Sequence, residues 1–520
     1  MTATVRHHRL PLAIAGTAAL ALVSCKLGPD YRRPDTKAPA AYRFDSGPSA
    51  AALADEGWWQ VYQDPVLQQL IREALANNLD VRIAAARVDQ ARAALGAARV
   101  AQLPKLSATA GAQRARTSKY ELIPGEPPIG NLFDVEGSVS YEIDFWGKYR
   151  RATEAARAQL LQSDFARQDV IAGLVASVAT AYFTLQSLDQ QLQITNRTVA
   201  TRQKFVELTS AQHERGTVSE LDVATAQAQL AIAKANLPEL QRQIGLTEDQ
   251  LSVLLGHNPD AVLRQPLRSS PTVANDSIAA DTAASDSAAA STVATANTAT
   301  NASAAAPEAS ATAVPVPAAG LPSSLLERRP DLREAEENLV AANAQVGVAK
   351  ANLFPTISLT GTGGVASTAL SGLFTGPARL WSFGGNVLQP LIDPQRNLYQ
   401  LDLADAQKRQ ALLQYQQSVQ SAFQEVSDAL IARQQYAEVL TQEQAWVTAQ
   451  RTANAIALAR YRVGYASYFD VIDSDRDLFS AELSLSAAHL NTLLAAVQLY
   501  RALGGGWQTE QAIAANPPAP

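Results

Sequence analysis

Two stretches of this chain carry nearly the same octapeptide. Gly216 opens Gly-Thr-Val-Ser-Glu-Leu-Asp-Val and Gly464 opens Gly-Tyr-Ala-Ser-Tyr-Phe-Asp-Val, so both read G-x-x-S-x-x-D-V, 248 residues apart. The offset holds well beyond the motif. Ala156, Ala158 and Gln159 answer to Ala404, Ala406 and Gln407, and Leu251, Leu255 and Gly256 to Leu499, Leu503 and Gly504. Nearer the start of each copy it grows to 251, where Asp80-Val81-Arg82, Gly96 and Pro104 match Asp331-Leu332-Arg333, Gly347 and Pro355. A three-residue loop difference accounts for the change. A repeat this long is one structural module used twice, not a solenoid unit. The copies span residues 65–256 and 321–504. Chance likeness between Ala-rich helices does not supply Gly, Pro, Asp and Ser in matching order.

Each copy changes its hydrophobic period along its length. An Ala-rich helix from Leu79 to Leu103 ends before Pro104, because the residue before proline disfavours helical geometry. Val135, Gly137, Val139, Tyr141 and Ile143 then alternate with Glu136, Ser138, Ser140, Glu142 and Asp144. In the second copy Ile357, Leu359, Gly361 and Val365 alternate with Thr356, Ser358, Thr360, Thr362 and Gly364. Period two predicts strands with one apolar and one polar face. With partners near 105–116 and 379–392, each copy offers a β-hairpin, 105–144 and 356–392. Helical regions follow over 147–215 and 395–463, each about 100 Å long if continuous. Each region ends at the repeated glycine, and a returning helix starts at the repeated serine, completing helical hairpins over 147–255 and 395–503. Pro238 is expected to kink or interrupt the first returning helix. The segment 269–320 has no Lys, Arg, Leu or aromatic residue and reads as a disordered part of the 257–320 linker, while 505–520 forms a tail.

The first residues read as a targeting signal. Arg6 and Arg9 precede an apolar stretch, Leu10 to Val23, which ends in Leu22-Val23-Ser24-Cys25. This resembles a bacterial lipoprotein processing box, so residues 1–24 are expected to be removed and Cys25 to carry a covalent lipid. Each buried acyl CH₂ would contribute about 0.8 kcal/mol of anchoring. Lys26, rather than Asp, follows the cysteine, which is the outer-membrane sorting pattern of lipoproteins generally. The Pro-rich segment 25–64 reads as extended chain. As the only cysteine, Cys25 excludes an intramolecular disulfide.

Composition narrows the function. A net charge of −6 without a basic block gives nucleic-acid binding no support. Mean hydropathy of −0.08 and the lack of a long apolar run after the signal argue against membrane-spanning helices. Strands with opposed faces suit a membrane barrel lined by water. A bilayer does not tolerate open sheet edges, and four strands are too few to close, so several chains would have to contribute. The strands alone allow a dimer, trimer or tetramer, or a four-stranded sheet in a soluble periplasmic domain. After signal removal only His213, His257 and His489 remain, and there is no further cysteine, H-E-x-x-H or phosphate loop. No catalytic constellation is legible, and neither an enzyme nor a cofactor beyond the lipid on Cys25 is expected.

Several motifs together resemble the TolC-like outer membrane factor family, in its lipoprotein branch serving resistance–nodulation–division efflux. They are Cys25 with Gly28-Pro29-Asp30-Tyr31-Arg32-Arg33-Pro34, Trp58-Trp59 with Asp64-Pro65, Arg329-Pro330-Asp331-Leu332, and the two repeated octapeptides. The resemblance implies an α+β membrane protein. Three protomers would share a 12-stranded outer-membrane β-barrel continued by a 12-helix periplasmic α-barrel, with a mixed equatorial belt. It implies an outer-membrane, lipid-anchored homotrimer that meets a periplasmic adaptor and an inner-membrane pump, and passively conducts small molecules such as drugs outward. The tips, Gly216 with Ser219 and Gly464 with Ser467, would form the entrance and the adaptor contact.

The same resemblance assigns a gate. Asp470 and Asp473, one turn apart on one helical face, match acidic residues that ring the closed entrance of related channels. Six carboxylates in a trimer would attract cations, and like-charge repulsion would raise some pKa values. Tyr461 and Asp222 match a hydrogen-bonded pair that tethers the closed hairpins. A basic residue found two positions after the second glycine in some relatives is Ala466 here. Asp222 and Asp470 also fit plain first-turn helix residues favoured by the macrodipole. Type I protein secretion with the same architecture, and a non-channel structural or adaptor lipoprotein, are the alternative functions.

Overall fold

The computed structural model describes residues 26–36, 39, 42–44, 56–118, 120, 127–262, 322–389 and 394–508. The signal peptide, Cys25, the linker beyond Val262 and the tail from Thr509 lie outside them. A one-turn helix α1 (Trp58–Val61) leads into α2 (Pro65–Asn77) and α3 (Leu79–Val100). Strands β1 (Lys105–Arg116) and β2 (Ile129–Ile143) precede the long helix α4 (Lys148–Glu214) and the returning α5 (Glu220–Leu254). The order then recurs. Helices α6 (Pro322–Arg328) and α7 (Pro330–Ala351) precede β3 (Thr356–Ser367) and β4 (Arg379–Leu388), then α8 (Pro394–Arg462) and α9 (Tyr468–Ala502).

The same backbone problem is solved at equivalent places in both halves. Asn78 caps α3, accepting from Asp80 N at 2.8 Å, and donates to the Leu254 carbonyl at the end of α5 at 3.0 Å. At the matching place Arg329 precedes α7 and donates to the Ala502 carbonyl at the end of α9 at 3.1 Å. Each bond satisfies a last-turn carbonyl that the returning helix cannot pair internally. Pro238 does not interrupt α5. Proline and the preceding turn at Lys234 are exposed, so the carbonyl that loses its donor is open to water.

The four strands form one antiparallel sheet in the order β1-β2-β3-β4. Its central pairing, β2 with β3, joins the two halves, which strand periodicity alone did not specify. Leu106, Val139, Gly361 and Phe383 lie in one cross-strand row, and Ser107, Ser138, Thr362 and Ser382 in the next. One face is thus apolar and the other carries hydroxyls, with Ser107–Ser138 and Thr362–Ser382 oxygens 2.7 Å apart. Among the described residues, β1 and β4 each pair on one side only.

The core sits where the helices cross beyond the sheet. Trp58, Leu67 and Ile71 pack with Tyr182 and Leu185 of α4, Leu332 of α7, Tyr415 of α8 and Leu499 of α9. Asp64 caps α2 through Val66 N at 2.8 Å and accepts the Tyr182 hydroxyl at 2.8 Å. This core explains one departure from the sequence expectation. An 18-residue window of α4 is long and apolar enough to cross a membrane, yet 67% of it is buried inside the protein.

A strap from the N-terminus lies across the base of the sheet. Leu27 N donates to the Trp146 carbonyl at 3.1 Å. Arg151, 1% exposed, donates to the carbonyls of Leu27 and Gly28 and to Asp30. Asn343 donates to the Pro29 carbonyl, while Tyr31 and Arg33 both donate to Glu336. Lys26 pairs with Glu154 and lies against Gly147. Beside it Trp146 stacks on Phe354 at 4.6 Å, an aromatic group at the sheet–helix junction.

Candidate gate at the helical tips

Both tips are built by the same local chemistry. Gly216 and Gly464 have φ of +70° and +80°, a left-handed conformation that glycine reaches without a Cβ clash. Thr217 N reaches the Gln212 carbonyl at 3.0 Å, and Tyr465 N reaches the Arg460 carbonyl at 2.9 Å, closing the ends of α4 and α8. Ser219 and Ser467 then cap α5 and α9. Each Asp of the repeated motif completes a capping box: Asp222 accepts from Ser219 N at 3.0 Å, and Asp470 from Ser467 N at 2.9 Å. The valine points inward in the second tip, where Val471 packs with Tyr468 and Ala226.

These contacts change what the expected gate residues do within one chain. Asp470 is exposed, but one of its oxygens is engaged by Ser467. Within one chain the Ser467 hydroxyl and N–H hold its carboxyl below the usual range. Asp473 sits one turn on and pairs with Arg476 at 2.5 Å, so its charge is partly neutralised. The expected Tyr461–Asp222 hydrogen bond is not formed. Tyr461 instead donates to Gln212 Oε1 at 3.0 Å, because Asp222 is occupied by its own capping box. Asp222 is still near enough to help raise the Tyr461 pKa, after burial as the larger cause. Tyr461 therefore does bridge the two tips, through a residue the motif comparison did not single out.

A polar seam above the tips holds the two hairpins side by side. Arg202 on α4, 4% exposed, donates to Asp475 on α9 at 2.8 Å and to the Gln229 carbonyl on α5 at 2.9 Å. Its guanidinium lies 5.3 Å from the Phe479 ring. Burial raises the Asp475 pKa, and Arg202 opposes that rise. One helical stretch farther, Glu482 of α9 takes Arg197 of α4 and Arg451 of α8. Ser187 and Ser486 then meet at 3.2 Å. A sequence signal for this seam exists. Thr195, Arg202 and Thr209 recur at spacing seven and are all buried, the positions a coiled-coil seam would occupy.

A sheet with opposed faces, two exceptionally long helical hairpins and capped twin tips now stand together in one chain. The outer membrane efflux protein family model matches residues 70–257 and 321–505, the two halves of the fold. The chain belongs to the outer membrane efflux protein family. It is an outer-membrane efflux protein. It is 36% identical over 511 residues to the probable efflux pump outer membrane protein TtgC of Pseudomonas putida, covering 96% of this chain and 97% of the relative. The cation efflux system protein CusC of Escherichia coli is 30% identical over 493 residues, 94% and 97% of the two chains. Among solved structures, the outer-membrane channel OprN superimposes with a TM-score of 0.78 at 29% identity, covering 93% of this chain and 100% of that one.

Proposed function

We propose that three copies of this chain close into a single passive duct, the exit channel of a tripartite efflux assembly. The observation that carries this reading is the open sheet. Its outer face is apolar and its inner face polar, yet among the described residues β1 and β4 leave their outer edges unpaired. Such edges are intolerable in a bilayer, so β1 of one copy must meet β4 of the next. Three copies supply twelve strands and four long helices each, as the family resemblance implies. The helices support the same assembly. Leu221, Ile232, Leu246 and Val253 stand exposed on α5, and Val439, Trp446 and Ile456 on α8. Ala445, Ala449 and Ala453 form a small-residue face on α8 that a neighbouring helix can approach closely.

In this reading a lipid on Cys25 enters the membrane beside the Trp146–Phe354 group, because the strap holds Lys26 there. The tips meet a periplasmic adaptor, and an inner-membrane pump supplies the energy and selects the cargo. Asp470 and Asp473 of three copies line the closed entrance, with Arg476 tempering the charge. Transport through the duct needs no bond chemistry from this chain.

Single-channel conductance of the purified protein in a planar bilayer tests the reading. Wild type should assemble as a trimer and conduct weakly, and Asp470→Asn/Asp473→Asn should conduct more, since asparagine keeps a capping oxygen while removing the charge. No conductance from either protein would end the channel reading. Equal conductance would remove only the gate assignment.

A further inference from the structure

The charged residues of the sheet are sorted by face. Asp134, Glu136 and Glu142 of β2 share the polar face with the hydroxyl rows, as does Lys105 of β1 at the helix end. Arg114 and Arg116 of β1 and Arg379 of β4 lie on the apolar face, in the rows of Leu106, Val139 and Phe383. All three arginines are exposed, and none makes a hydrogen bond or ion pair among the described residues. They stand at one end only. Residues 105, 143, 356 and 388 adjoin the helices, whereas 116, 129, 367 and 379 adjoin the loops at the opposite rim.

Height places these side chains at a membrane surface. The outward row of β2 runs Ile143, Tyr141, Val139, Gly137, Val135, Phe133, without a charge. At about 3.4 Å per residue and a tilt of about 40°, it spans roughly 25 Å, the apolar band of a transmembrane barrel. Arg114 pairs across from Asn131 and Arg116 from Ile129, immediately beyond that band. Arg379 opens β4 before Trp381 and Phe383, which are 82% and 76% exposed. An arginine just beyond lipid-facing aromatic residues sits among lipid headgroups. Its planar fork matches phosphate oxygens two at a time, which a lysine ammonium does not.

We propose that Arg114 and Arg116 of one copy and Arg379 of the next form a phosphate-binding site for an outer-leaflet glycolipid of the lipid A type. The inference rests on the closed-trimer reading above. Both edge strands contribute, so the site is complete only at the junction between copies, and a trimer carries three. A bisphosphorylated headgroup bridging β1 and β4 would bind the assembled barrel in preference to the separate chain.

The test measures affinity of the full-length trimer, in phosphatidylcholine nanodiscs, for fluorescent lipid A. Arg114→Gln/Arg116→Gln/Arg379→Gln should bind roughly fivefold more weakly per arginine removed, of the order of a hundredfold in all. The triple lysine variant should fall between it and wild type, and Arg242→Gln, on the helical barrel, should match wild type. Should the triple variant fail to assemble, Arg379→Gln alone is expected to show the single fivefold loss. Equal affinity of wild type and the glutamine variants would overturn the proposal, as would an equal loss from Arg242→Gln. Inorganic phosphate competing as tightly as lipid A would also overturn it, by showing a free-anion site. Conductance of the same samples separates the two readings. A conducting trimer with unchanged lipid affinity removes only the lipid site, whereas a wild type that neither assembles nor conducts removes the duct.

Discussion

Arg202 of α4 and Asp475 of α9 form a buried ion pair at 2.8 Å that crosses from one half of the duplicated fold to the other. Neither residue has a charged counterpart at the repeat offset: Gln450 matches Arg202, and Gln227 matches Asp475. The pair therefore distinguishes the halves and holds α4 against α9, while Arg202 also donates to the Gln229 carbonyl of its own copy.

Removing one partner should be costly, because the other charge stays largely shielded from water. Arg202→Ala is expected to lower stability by about 3–5 kcal/mol per chain, measured by denaturant unfolding. Arg202→Leu/Asp475→Leu should recover most of that loss, since replacing both ions removes the desolvation penalty as well as the attraction. A double variant no better than the single one would show that the hydrogen bond to Gln229, not the ion pair, dominates.

The same site carries a pH signature. Asp475 is raised above the ordinary value of 3.8 by burial, so the folded chain holds this proton to higher pH than the unfolded chain. Its contribution is most favourable below 3.8 and is lost as pH rises from there through the raised folded value. Comparing unfolding of wild type and Asp475→Asn across this acid range should show wild type losing ground as pH rises, then a constant difference up to neutrality. Asp470 has the opposite sign. Its lowered folded pKa gives stabilisation that is present above 3.8 and lost as pH falls through the folded value.

At the tips, Tyr461→Phe should remove only the hydrogen bond to Gln212, costing about 1 kcal/mol, and increase single-channel conductance in planar bilayers. Gln212→Ala should do the same, and the double variant should add little. Asp222→Asn should leave the closed conductance near wild type, because that carboxylate serves its own cap. A larger effect from Asp222→Asn than from Gln212→Ala would restore the pairing expected from the family.

Gly28 has φ of +96°, and a Cβ there would stand 2.5 Å from the Gly347 Cα. Gly28→Ala should therefore dislodge the strap, as should Arg151→Ala, which strands the Leu27 and Gly28 carbonyls without their donor. Limited proteolysis should cut both variants within residues 26–36 faster than wild type, with the helical hairpins intact. Unchanged cleavage would mean that Tyr31, Arg33 and Glu336 hold the strap alone.

Much of the architecture is legible in the sequence alone. Period two marked the strands, the repeated glycine and serine marked where the long helices stop and restart, and the 248-residue offset made the halves equivalent. These are local signals, since glycine at positive φ, a serine cap and an alternating face depend on a few neighbouring residues. The opposed strand faces also imply that a membrane barrel built from them would need more than one chain, because unpaired backbone edges cannot face lipid.

Tertiary structure decided which groups meet. Asp222, expected in the tether, and Asp470, expected in the gate, are each claimed by their own capping serine. Tyr461 accordingly finds Gln212, and Asp473 finds Arg476. The pairing of β2 with β3, the burial of the apolar stretch of α4, and the seam through Arg202, Asp475 and Glu482 all join residues from different halves of the chain. Such contacts depend on how helices rotate about their axes and how strands register. Composition and periodicity define the faces available for contact; packing between distant segments selects the partners.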